Sequence, residues 1–167
     1  MSYTYSRTER LLNYKNIDEG ESGEKYIPAY YDKPHNLNVS GTYNITRRLS
    51  LSANFVFSSG RPLTVPESAY IFNNIVVANF SERNAGRIPN YNRLDVSLIL
   101  KGNLKKEKWY EGKWVLSVYN IYGKRNPFSV YFDTVGNGTL PQAYRLSILG
   151  SAFPSLSYFF KIKQKKG

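Results

Sequence analysis

Residues 153–162 read Phe153-Pro154-Ser155-Leu156-Ser157-Tyr158-Phe159-Phe160-Lys161-Ile162. Successive side chains of a β-strand point to opposite faces, so every second residue from Leu156 to Ile162 would present an apolar side chain to one face. A transmembrane helix needs about 20 consecutive apolar residues, whereas a transmembrane strand needs only one apolar face. The segment therefore predicts a lipid-facing strand, although the mean hydropathy of the whole chain is only −0.46.

Composition favours a single all-β domain. The chain has 167 residues, among them 15 tyrosines and 9 phenylalanines, and aromatic side chains suit the pleated surface of a sheet. It has no cysteine and a single histidine, His35, which excludes disulfides and a Cys/His zinc site and allows a histidine-dependent catalytic dyad at only one position. We expect no metal site, no cofactor and no enzymatic activity.

The formal net charge of +11 would suit a nucleic-acid or anionic-surface partner, so its distribution matters. Basic residues cluster at 101–113, at 124–125 and at 161–166. A nucleic-acid platform needs charges and aromatic rings on the same face, whereas these clusters fall mostly in predicted connections. We interpret them as solvated turns and a basic tail, residues 164–167, that follows a strand-forming segment, residues 1–163. No nucleic-acid partner is expected.

Targeting signals are not evident in the sequence. No run of residues is apolar enough for a transmembrane helix, so any membrane-spanning structure would be a β-barrel. Residues 1–7 lack the apolar core of a secretory signal peptide. We expect either a protein that stays inside the cell or a piece of a longer protein whose signal lies upstream.

Alternation with a period of two recurs along the chain and predicts six antiparallel strands in an up-and-down meander. The predicted strands cover, approximately, residues 2–12, 35–45, 49–59, 91–100, 113–122 and 144–163. Gly150 and Pro154 interrupt the last of them, and proline in a sheet is confined to edges, first positions or bulges. We treat 144–163 as one interrupted strand, with a kink or a late start at Pro154.

The predicted connections alternate between long and short. They cover, approximately, residues 13–33, 46–48, 60–90, 101–112 and 126–143. An up-and-down membrane barrel has short turns at one end and long loops at the other, whereas long irregular loops are uncommon in compact soluble domains. The pattern indicates a partial transmembrane β-barrel wall.

The polar faces of these strands carry Ser, Thr and Asn rather than the Lys and Glu that protect exposed soluble strands. This predicts a hydrated lumen on one side of the wall and lipid on the other. The predicted lumen-facing residues include Asn54, Arg93 and Asp95. The residues predicted to face lipid or to form an aromatic girdle at headgroup level are Tyr43, Phe55, Phe57, Trp114, Leu156, Tyr158, Phe160 and Ile162.

Two polar features have structural interpretations. Arg93 and Asp95 lie two residues apart on one strand face, close enough to pair, and a structural ion pair is expected rather than acid–base catalysis. His35 follows Pro34 and is expected at the start of a strand.

Six stretches follow one another along nearly the whole chain: Ser2-Tyr3-Thr4-Tyr5-Ser6-Arg7-Thr8-Glu9-Arg10, Tyr31-Asp32-Lys33-Pro34-His35-Asn36-Leu37, Ser59-Gly60-Arg61-Pro62, Arg87-Ile88-Pro89-Asn90-Tyr91-Asn92-Arg93-Leu94-Asp95, Tyr119-Asn120-Ile121-Tyr122 and Asn126-Pro127-Phe128. In order and spacing they resemble the C-terminal barrel portion of TonB-dependent outer-membrane receptors, especially the branch with an N-terminal carboxypeptidase-regulatory-like domain.

The resemblance implies the last strands of a roughly 22-stranded barrel that carries a nutrient or metal chelate inward with energy from the TonB system. Its implied partners are outer-membrane lipid, the remaining strands and plug of the receptor, and the TonB system. Two features differ from the family: the upstream plug domain and TonB box are not in this sequence, and a basic extension, residues 161–167, follows Phe160. We therefore expect a receptor fragment, located in the outer membrane, that does not function alone.

Two other functions fit parts of the sequence. The first is a soluble all-β binding module for a glycan or a nucleic acid, whose apolar strand faces would meet in one core. The second is a hydrolase that uses the loop carboxylates Asp32, Glu67 and Asp133, although their spacing identifies no catalytic pair.

Overall fold

A computed structural model describes residues 1–15, 22–73, 75–102, 110–133 and 142–162 of the chain. These residues form β-strands and no helix, and the strand pairings are antiparallel. None of the described residues forms a helix long and apolar enough to cross a membrane. The strands are β1 (Ser2–Tyr5), β2 (Glu9–Lys15), β3 (Ser22–Pro28), β4 (His35–Asn44), β5 (Leu49–Ser58), β6 (Pro62–Leu63), β7 (Pro66–Phe72), β8 (Ile75–Phe80), β9 (Gly86–Arg87), β10 (Tyr91–Lys101), β11 (Tyr110–Tyr119), β12 (Pro127–Asp133), β13 (Gln142–Ser147) and β14 (Phe153–Ile162). The predicted all-β antiparallel class is confirmed.

One six-stranded sheet is the framework of the molecule. Its strand order is β1-β4-β5-β10-β11-β14, so each strand lies beside the member of the set that follows it in the chain. This is the predicted up-and-down meander, and β4 begins at His35 as expected. Within the described residues β1 and β14 pair on one side only, which leaves the sheet with two open edges.

The two ends of this main sheet differ in the size of their connections. Residues 45–48 and 102–109 connect strands at one end, which we call the short-turn end. Residues 6–34, 59–90 and 120–152 leave the opposite end, the long-loop end. These long connections fold back as the hairpins β2–β3, β7–β8 and β12–β13, and β6 pairs with β9 at the base of the second. The alternation of lengths was predicted from the sequence, whereas the hairpins were not.

Two of the predicted strands are divided. Residues 2–12 form β1 and part of β2, because the chain turns away between them, where the Thr8 N–H donates to Asp32 Oδ1 at 2.9 Å. The prediction of one interrupted strand over 144–163 is wrong, since β13 pairs with β12 and β14 pairs with β11, but the late start expected at Pro154 agrees to within one residue with the start of β14 at Phe153. Between the two strands the backbone has a φ of +51° at Leu149, outside the β region. The predicted basic tail, residues 164–167, lies outside the described residues.

The register gives the main sheet two chemically different faces. Leu98 pairs with Leu51 and with Leu116, and Leu116 pairs with Leu156, so one row of leucines crosses four strands. Paired residues share a face and alternate residues change it. The apolar face therefore consists of the odd-numbered residues of β1, β4 and β5 and the even-numbered residues of β10, β11 and β14. The other residues of these strands form the polar face.

The main sheet is a single layer in the described part of the chain. The buried aliphatic side chains are those of Ile27, Ala29 and Ile88, which all belong to the long connections. On the apolar face, by contrast, Tyr43 is 72% exposed and Phe160 is 67% exposed. No described element packs over the apolar face, so the small core of the molecule lies at the long-loop end.

Candidate functional site

All eight residues predicted to face lipid or to form a girdle lie on the apolar face. They are Tyr43, Phe55, Phe57, Trp114, Leu156, Tyr158, Phe160 and Ile162. Asn54, Arg93 and Asp95, the predicted lumen-facing residues, lie on the polar face. The two sets are therefore on opposite sides of one layer, and their contact with lipid and with lumen water stays a prediction.

Aromatic residues concentrate toward the two ends of the apolar face. At the short-turn end, Trp114 pairs with Tyr158 and their ring centroids lie 4.6 Å apart. At the long-loop end, Tyr3 Oη forms a hydrogen bond of 2.8 Å with His35 Nδ1, and the Tyr5 ring lies 5.3 Å from the same imidazole. Rings with a polar tip are stable where apolar and aqueous phases meet. The second cluster was not predicted, since Tyr3 and Tyr5 become neighbours of His35 only through the β1–β4 pairing.

Short polar side chains satisfy one another across the polar face. Hydrogen bonds join Thr42 to Ser52 (3.2 Å), Ser50 to Asn44 (2.7 Å), Ser58 to Asn36 (2.8 Å) and Ser97 to Ser117 (2.9 Å). Hydroxyl and amide groups of this kind keep unused donors and acceptors for water. The polar face therefore suits contact with a hydrated space better than contact with an apolar core.

Arg93 is the centre of a charged cluster on this face. Its Nε donates to Asp95 Oδ2 at 3.0 Å, and its Nη1 donates to the hydroxyls of Tyr91 at 3.0 Å and Tyr119 at 2.5 Å. The other carboxylate oxygen, Asp95 Oδ1, accepts the Asn120 N–H at 2.9 Å. Both carboxylate oxygens of Asp95 accept hydrogen bonds, and the predicted pairing of Arg93 with Asp95 is present; its purely structural role stays a prediction.

A cavity of about 660 Å³ opens beside this cluster, between the polar face and the long connections. Its lining includes three cationic residues, Lys33, Arg61 and Arg93, and no carboxylate. Arg61 lies over the ring of Tyr30 at 4.2 Å and donates to Ser129 Oγ at 3.3 Å. The volume is in the range of small-molecule sites. Because Asp95 balances the charge of Arg93, Lys33 and Arg61 supply the positive charge that would favour an anionic occupant. The sequence gives no signal for this cavity, because three separate long connections contribute to it.

A buried ion pair holds the long connections together. The Asp32 side chain is 1% exposed, and its Oδ2 accepts Arg87 Nη2 at 2.5 Å. Arg87 Nη1 also donates to the Asp32 carbonyl (3.3 Å) and to the Gly60 carbonyl (3.0 Å). Burial acts to raise the pKa of the Asp32 carboxyl, but the hydrogen bonds from Arg87 and from the Thr8 N–H outweigh it, so this pKa lies below its ordinary value.

The variant Asp32→Asn tests this pair. Loss of a hydrogen bond between charged groups costs about 1.5–3 kcal/mol, so we expect amide exchange near Thr8 and Arg87 to become roughly tenfold faster or more. Since folding lowers the carboxyl pKa, its stabilisation is complete above the unfolded-state value of about 3.9 and is lost as the pH falls toward the folded-state value. Exchange in the wild type, corrected for intrinsic rates, should approach that of the variant below about pH 4.

Hydrogen exchange followed by mass spectrometry measures both effects. The matched control is Glu82→Gln, which breaks an exposed ion pair with Lys25, because the Glu82 side chain is 73% exposed. Exposed pairs contribute about 0–1 kcal/mol. Equal changes in exchange for the two variants would contradict a special role for Asp32.

Two asparagine side chains beside the cavity form hydrogen bonds with the backbone of neighbouring segments. Asn126 Oδ1 accepts the Asn92 N–H at 3.1 Å and Asn126 Nδ2 donates to the Asn92 carbonyl at 2.7 Å, so this side chain takes the place of a neighbouring peptide group. Asn120, at a φ of +53°, donates from Nδ2 to the Lys124 carbonyl at 3.1 Å. Asparagine tolerates this left-handed conformation better than most residues. Neither role was predicted.

The loop carboxylates do not form a catalytic group in the described ranges. Asp32 is bound by Arg87, Glu67 lies in β7, and Asp133 ends β12. No hydrogen bond or ion pair within those ranges joins any two of the three. The structure therefore gives the hydrolase hypothesis no assembled site.

Comparison with known proteins adds no relative to this description. No model of a protein family, no curated protein and no solved structure matches the chain at a significant level.

Proposed function

We propose that this chain forms part of the wall of an outer-membrane β-barrel, as a segment of a TonB-dependent receptor that takes up a nutrient or chelate. The observation that carries the proposal is the uncovered apolar face of a single-layer antiparallel sheet. A soluble monomer rarely exposes so large an apolar surface. Lipid removes the free-energy cost of that exposure, because the hydrocarbon takes the place of water.

Strand length supports the same reading. The main-sheet strands other than β1 are 10 or 11 residues long, and a tilted transmembrane strand needs about 9–11 residues. The aliphatic middle and aromatic ends of the apolar face match the banding of a barrel exterior. The long connections at one end and short turns at the other match its external loops and periplasmic turns.

The open edges indicate what the segment needs. Unpaired N–H and C=O groups cannot remain in hydrocarbon without a partner strand, so β1 and β14 each require a neighbour. We propose that the remaining strands of the receptor supply it, that the plug lies against the polar face, and that the TonB system supplies energy. The last two steps rest on the sequence resemblance.

A pair of single-cysteine variants tests the proposal, because the chain has no cysteine of its own. Ser52 on the polar face and Ala53 on the apolar face are adjacent in β5 and are both small. In membranes that contain the protein, a water-soluble maleimide should label Ser52→Cys readily. It should label Ala53→Cys at least about tenfold more slowly, because the thiolate that reacts does not form in hydrocarbon.

Unfolding in urea should make both cysteines react equally, which controls for intrinsic reactivity. Equal labelling of the two variants in membranes would contradict the proposal. A detergent-free monomer in which Ala53→Cys is protected would instead favour the soluble binding module, whose apolar faces meet in a core.

A further inference from the structure

A second, smaller cavity lies at the short-turn end, where the apolar face meets the turns. Its volume is about 260 Å³. Basic, aromatic and small residues share its lining, which includes Arg48, Lys101, Tyr110, Gly112, Trp114 and Tyr158. We call it the basic groove. It is at the opposite end of the main sheet from the cavity beside Arg93.

The backbone of the basic groove is firmly held. The Lys101 N–H donates to the Arg48 carbonyl at 2.7 Å, and Arg48 Nε donates back to the Lys101 carbonyl at 3.1 Å. Thr46 Oγ1 accepts the Leu49 N–H at 3.0 Å and closes the turn. Arg48 is therefore positioned, yet within the described residues its Nη1 and Nη2 and the Nζ of Lys101 bind no other group. These donors remain available to a ligand.

The charge around the basic groove is unbalanced. The described residues at the short-turn end, in ranges 44–49, 100–102, 110–113 and 159–162, contain five cationic side chains and one carboxylate, that of Glu111. Lys101, Lys113 and Lys161 occupy polar-face positions at the strand ends, whereas Arg47 and Arg48 lie in the turn itself. Arg48 and Lys101 form no ion pair with any described residue, whereas Arg87 and Arg93 are paired with buried or half-buried aspartates. The net positive potential favours an anion.

The groove also has an apolar side. Leu100, Trp114 and Tyr158 belong to the apolar face, and Gly112 leaves space beside them that the Tyr158 ring enters. A ligand that reached both Arg48 and Trp114 would meet cations at one end and an aromatic and aliphatic surface at the other. That combination of chemistry is found in a lipid with an anionic headgroup.

We propose that the basic groove binds the phosphate of an anionic phospholipid headgroup, with Arg48 as the phosphate ligand and the acyl chains against the leucine row of the apolar face. Lys101 is the last residue of β10 and occupies a polar-face position, and it adds positive charge at the rim of the groove. The inference rests on the proposed membrane location and deepens it by naming a lipid class and its site. Trp114 and Tyr158 would then lie at the level of the headgroup, where amphipathic rings are stable.

The test uses the whole chain in detergent micelles with added phosphatidylglycerol, and native mass spectrometry counts the retained lipid. A basic residue near an anionic lipid surface contributes about 1 kcal/mol, so Arg48→Gln combined with Lys101→Gln should weaken retention about tenfold or more. The matched control, Arg83→Gln combined with Arg125→Gln, removes two exposed cations at the long-loop end and should leave retention unchanged. Arg48→Lys with Lys101→Arg keeps both charges and should also retain the lipid.

Several outcomes would overturn the proposal. They are full retention by the Arg48→Gln/Lys101→Gln protein, equal retention of phosphatidylcholine and phosphatidylglycerol, and displacement of the lipid by millimolar inorganic phosphate, which would indicate a plain anion site. Loss of lipid by the charge-retaining variant Arg48→Lys/Lys101→Arg would indicate misfolding of the turn and would also contradict the proposed lipid site. The labelling of Ser52→Cys and Ala53→Cys does not depend on this groove, so failure of the membrane location and failure of the lipid site are separable.

Discussion

Val96→Arg is expected to destabilise the protein folded in a bilayer by about 2–4 kcal/mol. This is the cost of a guanidinium on the lipid-facing side of a barrel near the midplane. Val96 lies in the middle of β10, on the apolar face, between Ala53 and Val118. No described residue on this face offers a counter-ion beside it. The folded fraction across a urea series in phospholipid vesicles measures the effect.

Ser97→Arg is the matched control, because Ser97 is the next residue of the same strand and points to the opposite face. It loses one hydrogen bond to Ser117, which should cost about 1 kcal/mol or less, and the new guanidinium can reach water. If the two arginine variants are destabilised by the same amount, the apolar face does not contact lipid. The result then argues against the proposed barrel wall.

Gly60→Ala is expected to cost about 3 kcal/mol, at the upper end of typical overpacking. A Cβ at this position would overlap the carbonyl oxygen of Ile88, a backbone atom that cannot rotate away. The Gly60 N–H donates to Asn90 Oδ1 at 3.0 Å, and its carbonyl accepts Arg87 Nη1 at 3.0 Å. A shift of Gly60 would therefore also loosen the ion pair of Asp32.

Gly41→Ala provides the comparison within the same sheet. Gly41 lies on the apolar face of β4, and a Cβ there would meet no other atom within 4 Å. Its effect should stay within about 0.5 kcal/mol, as for most surface substitutions. Urea unfolding of both variants under identical conditions gives the two values. A tolerated alanine at Gly60 would mean that the approach of Ile88 is not required for stability.

The strands of the main sheet could be predicted because the alternation of apolar and polar residues is a local feature of the sequence. Alternation in 49–59 and 35–45 predicts β5 and β4 to within one residue. The fifth predicted strand, residues 113–122, corresponds to β11, which begins and ends three residues earlier. Gly112 interrupts the apolar alternation near the start of β11, and the positive φ of Asn120 ends the strand. The hairpins of the long connections escaped prediction, because their strands project from the main sheet and lack one consistently buried face.

The parts of the candidate site were predictable to the extent that they are close in sequence. Arg93 and Asp95 are two residues apart, and their pairing follows from strand geometry alone. Asp32 and Arg87 are 55 residues apart, and Asn92 and Asn126 are 34 residues apart. No pattern in a single sequence brings such residues together, since the main sheet must first place its three long connections side by side.

The four-residue turn between β4 and β5 also has a kinetic consequence. Loop-closure entropy grows with the logarithm of loop length, by about 0.6 kcal/mol for each doubling. The connection 59–90 is about eight times as long as the turn 45–48, so closing it costs about 2 kcal/mol more. The β4–β5 hairpin should therefore nucleate the sheet, with β10, β11 and β14 added in turn. The outermost strand β14 would be the last to dock, and its free edge would stay available to a neighbouring strand until the end.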